Sequence, residues 1–125
     1  MTIQDAIELV DRLKPNQYPE TLKIQWLSKL DGQIFDEVFA AHEGSAIESF
    51  AGYNEDTPQD TELLVPHPFD TDLYSYYLQA AIDRENAETT KYNQSITLYN
   101  NAYLTFQNWY NRTHMPRRRG LRFRF

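Results

Sequence analysis

The stretch YNQSITLYNNAYLTFQNWY, residues 92–110, places aromatic and aliphatic side chains alternately four and three residues apart. The positions that follow this spacing are Tyr92, Ile96, Tyr99, Tyr103, Phe106 and Tyr110. Side chains at such intervals share one face of an α-helix, as they do in the seam of a coiled coil. The stretch therefore predicts a long amphipathic helix that ends before Met115. Three more apolar side chains widen this stripe and indicate that more than one surface covers the helix: Leu98, Ala102 and Trp109.

The sequence before this helix predicts a partner for it. Asp70 or Thr71 can cap a third helix, whose apolar positions are Leu73, Tyr74, Tyr77, Leu78, Ala81 and Ile82. A pause around residues 86–90 separates the two segments. Because a short connection brings consecutive helices side by side, we expect an antiparallel helical hairpin in the C-terminal half of the chain.

A first helix is predicted at the start of the chain. Thr2 can cap it, and Asp5 stands in the capping-box position three residues later. Pro15 stops it, since a proline disfavours the α conformation in the residue before it. Its apolar positions follow at helical spacing: Ile3, Ala6, Ile7, Val10 and Leu13.

A second helix begins near Pro19 and runs to about His42 or Glu43, where Gly44 ends it. Its apolar face is wide enough to pack on two neighbours and contains Leu22, Trp26, Leu27, Leu30, Ile34, Phe35, Val38 and Phe39. The sequence thus predicts an all-α fold, a small four-helix bundle.

One long connection interrupts this bundle. Residues 44–69 contain two Gly, three Pro and five acidic residues. A connection of this length inside a small domain is more often a functional loop than an idle one. Within it, ELLVP at residues 62–66 is expected to pair as a short extended segment.

The charge of the chain is divided between two parts of opposite sign. Residues 1–116 hold all eighteen carboxylates and seven of the twelve Lys and Arg, a net charge of −11. The last nine residues, RRRGLRFRF at 117–125, hold the other five bases. We therefore divide the chain into a helical body, residues 1–116, and a basic and aromatic arm, residues 117–125, which is expected to be extended after Gly120.

Patterns typical of catalysis or metal binding are missing from the sequence. There is no cysteine, no phosphate-binding glycine motif and no zinc-protease or serine-hydrolase motif. His42, His67 and His114 share no ligand-like spacing, so surface or capping roles are expected for them. Pairs such as Asp36 with Glu37 are interpreted as solvated carboxylates. We expect no catalytic residue, no metal, no cofactor and no membrane span.

The aromatic residues have two interpretations. A tyrosine stripe at helical spacing forms either the core or a subunit interface, and only rarely a platform for stacked bases. The number of tyrosines favours the interface for so small a core. The candidate interface or core-seam residues are Trp26, Tyr77, Tyr99, Tyr103, Phe106 and Trp109.

Four stretches of the body carry a resemblance to a known family. They are KPNQY at 14–18, KIQWLSKLDGQIF at 23–35, ELLVPHPFDTDLYSYYL at 62–78 and YNRTHMP at 110–116. Together they resemble the head–tail connector, or adaptor, proteins of tailed phages and prophages. The likeness runs over nearly the whole body, whereas the arm matches no pattern of that family.

The resemblance implies a structural virion protein at the neck of the particle, assembled in the host cytoplasm. Such a subunit is expected to form a ring, dodecameric in the relatives, beneath the portal protein. The ring extends the DNA channel towards a stopper or tail protein, and double-stranded DNA passes through it without specific binding.

The arm has three candidate roles, of which the simplest is that of a disordered basic tail that only aids solubility. As an extended chain it would present Leu121, Phe123 and Phe125 on one side and Arg122 and Arg124 on the other. It is then suited to add to the edge of a partner such as the portal, with Arg117, Arg118 and Arg119 meeting acidic groups. The alternative function is that of a small nucleic-acid-binding protein, whose arginines contact phosphates.

Overall fold

The computed structural model describes residues 1–42 and 47–115. This part of the chain forms four α-helices, and the predicted all-α fold is confirmed. The helices are α1 (Ile3–Leu13), α2 (Glu20–Ile34), α3 (Asp70–Glu85) and α4 (Thr89–Thr113), and a π-helical segment, Phe35–Phe39, continues α2. The second helix was expected to run to about His42 or Glu43, but its helical conformation ends earlier, at Phe39. Gly44 and the arm lie outside the described residues.

Helix α1 begins and ends as its sequence predicts. The Thr2 side chain accepts a hydrogen bond from the backbone of Asp5, and the Asp5 carboxylate accepts one from the backbone of Thr2. The helix ends at Leu13, one residue before the Lys14 that precedes Pro15. Of the apolar positions named for this helix, Ile3, Ala6, Ile7 and Val10 are buried, whereas Leu13 at its end is 56% exposed.

The second predicted helix changes its geometry before its end. At Phe35 the chain passes from α-helix to π-helix, and the N–H of Ala40 donates to the carbonyl of Phe35, 2.8 Å away. A π turn holds more residues than an α turn, so a strict four-residue spacing no longer describes it. The neighbouring side chains Val38 and Phe39 of this segment are both buried.

Helices α3 and α4 form the predicted hairpin. Their connection is short, residues 86–88, and Ala87 adopts a positive φ of 59° within it. Capping would require Asp70 to stand immediately before α3, but Asp70 is the first residue of the helix and Phe69 precedes it. Its carboxylate nevertheless accepts a hydrogen bond from the N–H of Thr71 at 2.8 Å.

The loop that precedes α3 contributes side chains to the core. Leu63 and Val65 are buried among the helices. The extended pairing expected near residues 62–66 is present as an isolated antiparallel bridge between Thr2 and Glu62. The N–H of Leu63 also donates to the carbonyl of Met1 at 2.9 Å. The exit of the loop is therefore held against the start of α1.

The middle of the loop lies on α2 through a close backbone approach. The N–H of Tyr53 donates to the hydroxyl of Ser28 at 2.9 Å. Gly52 makes this approach possible, because its φ is +89° and an added Cβ would lie 3.0 Å from the same hydroxyl. A larger residue would be strained by both its backbone conformation and its contact with Ser28.

A buried carboxylate, that of Asp31 in α2, joins the loop to two helices. Asp31 has no exposed surface and accepts three hydrogen bonds. They come from the hydroxyl of Tyr53 at 2.5 Å, the hydroxyl of Tyr74 at 2.6 Å and the N–H of Leu64 at 3.1 Å. The Tyr74 hydroxyl in turn accepts from the N–H of Val65 at 3.0 Å. This Asp31 network connects α2, α3 and both halves of the loop.

A second buried carboxylate fastens the end of α1 to the hairpin. Asp83 in α3 accepts from the ammonium group of Lys14 at 2.6 Å and from the hydroxyl of Ser95, in α4, at 2.9 Å. Buried charges are stable when they are paired and fully hydrogen-bonded. Asp83 meets this requirement with partners from two other parts of the fold.

The Tyr74 hydroxyl donates to Asp31 and accepts from Val65, so its removal tests the Asp31 network. We expect Tyr74→Phe to lower the free energy of unfolding by about 1–3 kcal/mol, because it leaves a buried N–H and a carboxylate oxygen without a partner. Tyr76→Phe, two residues along the same helix, is the matched control and is expected to change stability by less than about 0.5 kcal/mol. Urea denaturation measures both, and equal effects of the two changes would contradict the role of the network.

The pH dependence of stability gives a separate test. Burial raises the pKa of Asp31 above its ordinary value of 3.8, against the lowering effect of its hydrogen bonds from Tyr53, Tyr74 and Leu64. The folded protein therefore keeps a proton on Asp31 over a pH range in which the unfolded chain has lost it. The free energy of unfolding contains a contribution that falls as the pH rises from 3.8 through the raised pKa.

Asp31→Asn lacks this contribution, because an amide does not titrate. The stability of the wild type relative to Asp31→Asn is therefore expected to fall as the pH rises from about 4 towards neutrality. Denaturation curves collected over this range measure the difference. A difference that stays constant with pH, or that grows, would show that the carboxylate is not held as described.

Candidate functional site

The seam between α4 and the rest of the body is built around Phe106. This side chain has no exposed surface. Its ring lies 6.3 Å from that of Phe39 and 5.9 Å from that of Phe69, measured between centroids. The π-helical segment and the end of the loop thus both contact α4 here. The structure places Phe106 in the core of a single subunit.

The tyrosines of the seam lie at its middle and at its edge. Tyr99 is 8% exposed, and its ring centroid is 5.2 Å from that of Tyr77 in α3. Burial raises the pKa of the Tyr99 hydroxyl. Tyr103 is half-buried and donates a hydrogen bond to the exposed carboxylate of Glu37. Tyr99 therefore belongs to the core, whereas Tyr77 and Tyr103 also present part of their surface to the outside.

The two tryptophans lie in different places. Trp26 is buried in α2 and meets Tyr18 edge to face at a centroid distance of 6.1 Å. Trp109 is half-buried near the end of α4, 5.0 Å from the ring of Phe69. The six seam candidates therefore do not form one surface, because Trp26 packs with the segment that links α1 and α2.

A cluster of rings surrounds the last turns of α4, and we call it the C-terminal aromatic cluster. It consists of Phe69, Phe106, Trp109, Tyr110 and His114. The imidazole of His114 stacks on the ring of Tyr110 with centroids 3.8 Å apart. The cluster directly precedes the basic arm in the sequence, so it forms the part of the described body from which the arm continues.

His42 departs from the surface position expected for it. The residue is buried, and its ring meets Tyr110 edge to face at 5.0 Å. Nδ1 lies 2.6 Å from the carbonyl oxygen of Val38, and Nε2 lies 2.7 Å from the side-chain amide of Asn111. His42 thus joins the end of the π-helical segment to α4. Val38 lies four residues before His42, so this contact with its carbonyl is of the kind that caps the end of a helix, as expected. The expected surface position of His42 is not observed.

Metal-binding clusters and membrane-spanning helices are both absent from the described residues. Within residues 1–42 and 47–115, no group of three or more His, Cys, Asp or Glu side chains is placed to hold a metal ion. Over the same ranges, no helix is both long and apolar enough to cross a membrane. Asp36 and Glu37 are exposed, as expected of solvated carboxylates. The arm candidates from Arg117 to Phe125 lie outside the described residues.

Sequence reasoning missed two features. The Asp31 network went unnoticed, although an acid among the apolar positions Leu27, Leu30 and Ile34 of one helix face is a visible signal. The second is the composition of α4, whose twenty-five residues contain no Asp or Glu. All eighteen carboxylates of the chain therefore precede it.

Comparison with known proteins adds no relative to this description. No protein-family model matches the chain, and no curated protein or solved structure is similar enough to count as a match.

The contrast between the core and the edge of the seam can be tested by two substitutions. Phe106→Ala is expected to cost about 3–5 kcal/mol of stability, because it removes a fully buried ring from a closely packed cluster. Tyr103→Phe removes one hydrogen bond to an exposed carboxylate and is expected to cost less than about 1 kcal/mol. Thermal denaturation followed by circular dichroism measures both. If Phe106→Ala left the melting temperature unchanged, the assignment of this ring to the core would be wrong.

Proposed function

We propose that this chain is a structural subunit of a tailed-phage neck, an adaptor that forms a ring beneath the portal protein. In this role the body extends the DNA channel and passes it to a stopper or tail protein. The protein assembles in the host cytoplasm and acts in the virion without catalysis and without a cofactor. The ring is dodecameric if it follows the family that the sequence resembles.

The observation that carries this proposal is that one of the two stretches with the most specific resemblance packs on the residue that precedes the other. One is ELLVPHPFD at 62–70 and the other is YNRTHMP at 110–116. Phe69 of the first stretch packs on Trp109, the residue before the second, and Tyr110 of the second packs on the same tryptophan at 6.1 Å. Segments about forty residues apart thus meet near the end of α4, and the arm follows this end in the sequence.

The charge of the body is compatible with a conduit for DNA. A net charge of −11 on residues 1–116 repels phosphates. A duplex moving through a ring of such subunits would not be held by its wall. The aromatic surplus supports the same proposal, because Tyr77, Tyr103 and Trp109 leave part of their rings at the surface, where rings of this type are common in subunit contacts.

The arm is proposed to hold the ring to its neighbour. We place the apolar side chains Leu121, Phe123 and Phe125 in pockets of the portal's lower rim, where the arm adds as an edge strand. The arginines at 117–119 are proposed to meet acidic groups there or on neighbouring bodies. The C-terminal aromatic cluster then serves as a rigid base for the arm.

A second function is supported by the concentration of five arginines in the last nine residues. A small nucleic-acid-binding protein would use such an arm on phosphates while its acidic body faces away. This function requires binding to DNA by the isolated chain at low salt, and it requires that binding be lost without residues 117–125.

Deletion of residues 121–125 tests the adaptor proposal. The deletion is expected to leave the helical circular dichroism unchanged and to abolish cosedimentation with portal-bearing heads, because it removes all three apolar anchors of the arm. Changing Phe123 and Phe125 to Ser is expected to weaken attachment more than changing Arg122 and Arg124 to Ser. Buried rings dominate interface energies, and exposed ion pairs contribute at most about 1 kcal/mol.

The outcomes separate the two functions. Normal attachment of the deletion variant to heads would refute docking through the arm. A mobility shift of DNA that disappears with the deletion, together with no attachment to heads by the full chain, would favour the nucleic-acid-binding function.

A further inference from the structure

A groove of about 300 Å³ lies between the first half of α2 and the middle of the loop, and we call it the α2–loop groove. Ile24, which is almost fully buried, forms an apolar floor, and the ring of Tyr53 forms a wall. A cavity of about 150 Å³ is already large enough for a benzene ring. The groove therefore has room for a phenylalanine side chain. The rest of its lining is polar: Thr21, Gln25, Asn54 and Glu55.

The Tyr53 wall is held in place by α2. The N–H of Tyr53 donates to the hydroxyl of Ser28 at 2.9 Å, and the Tyr53 hydroxyl donates to the carboxylate of Asp31 at 2.5 Å. A site that is already ordered costs less free energy to occupy, because binding does not have to immobilise it. An aromatic ring fixed in this way favours contact with another ring or with an arginine.

Carboxylates surround the α2–loop groove. Glu55 lines it, and the exposed Asp56 follows in the chain. Glu20 stands immediately before the lining residue Thr21, and its carboxylate accepts a hydrogen bond from the side chain of Gln59 at 3.0 Å. None of the described residues that line the groove is basic. A segment that fits this groove therefore combines an aromatic side chain with positive charge.

The arm has this composition. Residues 117–125 hold five arginines, two phenylalanines and no acid, whereas the loop residues 44–69 hold five acids and no Lys or Arg. The two segments thus carry charges of +5 and −5. Phe123 has an arginine on each side in the sequence, Arg122 and Arg124. If the Phe123 ring enters the groove, these arginines are next to its acidic rim.

The end of α4 is remote from the α2–loop groove. Tyr103 of α4 donates to Glu37, and eight residues further along α4 Asn111 contacts His42. The helix that begins with α2 and α4 therefore run in the same direction, and α4 ends beside the end of the π-helical segment. The groove lies at the opposite end, in the first half of α2.

The arm is too short to bring its first anchors to the groove of its own chain. Phe39 packs on Tyr110 at 5.1 Å and lies about 22 Å along the helix from the groove. The chain continues for about 7 Å beyond Tyr110 to Met115, which gives roughly 30 Å before the lateral separation of the helices is added. At about 3.6 Å per residue, Leu121 reaches at most about 22 Å from Met115 and Phe123 about 29 Å. A second copy imposes no such limit.

We propose that the arm of one copy docks in the α2–loop groove of a second copy. The ring of Phe123 packs on Ile24 and Tyr53, and the neighbouring arginines meet Glu20 and Glu55. The two contact surfaces are unlike and lie at opposite ends of the body, so the contact is head to tail and can close into a ring. The inference goes beyond the proposed function, since it gives the arm a binding place on the protein itself, for which a portal competes.

A peptide with the sequence of residues 115–125 tests the groove. Its affinity for the chain that lacks residues 121–125 is measured by fluorescence anisotropy, and a dissociation constant below about 1 mM is expected. Phe123→Ser in the peptide is expected to weaken binding about tenfold or more, because a buried ring dominates such a contact. Arg118→Ser is expected to weaken it at most about fivefold.

Two substitutions in α2 locate the binding site. Gln25→Arg places a bulky cation in the groove and is expected to weaken peptide binding about tenfold or more. Gln33→Arg adds the same charge at another exposed position of α2, outside the groove lining, and is the matched control with an expected loss below about threefold. Equal effects of the two variants would overturn the proposal. So would a peptide that does not bind at about 1 mM, or one that binds equally well with Phe123→Ser.

Sedimentation equilibrium of the full chain decides whether a second copy supplies the arm. Self-association is expected, weakened by Gln25→Arg and not by Gln33→Arg. A full chain that stays monomeric at concentrations where the peptide binds would overturn the assignment to a second copy.

Mixing two variants tests the head-to-tail contact. The Gln25→Arg chain keeps its arm, and the chain without residues 121–125 keeps its groove, so each alone is expected to be monomeric and the mixture to form a one-to-one complex. Larger species in the mixture would overturn the proposal. None of these experiments involves a portal, so the contact between copies and the adaptor function can fail independently of each other.

Discussion

The buried carboxylate of Asp31 is the constraint on which the arrangement of this chain depends. An acidic group without exposed surface is costly to bury unless donors surround it, and here three donors come from Tyr53, Leu64 and Tyr74. Two of them belong to the long loop and the third to α3. The loop must therefore lie against α2, and its exit delivers Leu63 and Val65 into the core. The network acts together with the hydrogen bonds from Leu63 to Met1 and from Tyr53 to Ser28, which hold the same loop.

The rest of the body extends this arrangement towards the end of α4. The loop leads to Phe69, which packs on Phe106 and Trp109, and His42 joins the π-helical segment to α4. The C-terminal aromatic cluster is thus fixed by three parts of the chain. Under the proposed adaptor function, this cluster would support the arm that follows it in the sequence.

Much of the fold follows from spacing in the sequence. The seam of α4 and the capping box at Thr2 and Asp5 were predictable because local geometry alone determines them. The π-helical segment was not predictable, because its apolar positions fit an α-helix equally well. Long-range contacts decided the remainder: burial of His42 depends on Asn111, and exposure of Leu13 depends on where the chain turns after α1. For the candidate site, spacing identified Phe106 and Tyr99 but did not separate the core from an interface, because both favour the same side chains.

Electron cryomicroscopy of the purified chain mixed with a portal protein tests the central claim most directly. The claim is that this protein is a ring-forming adaptor that is attached to a portal. The account predicts class averages with an added ring of density coaxial with the portal, on the face that leads to the tail, and an open channel through both. Portal particles without added density, at concentrations where the chain is folded and in excess, would contradict it.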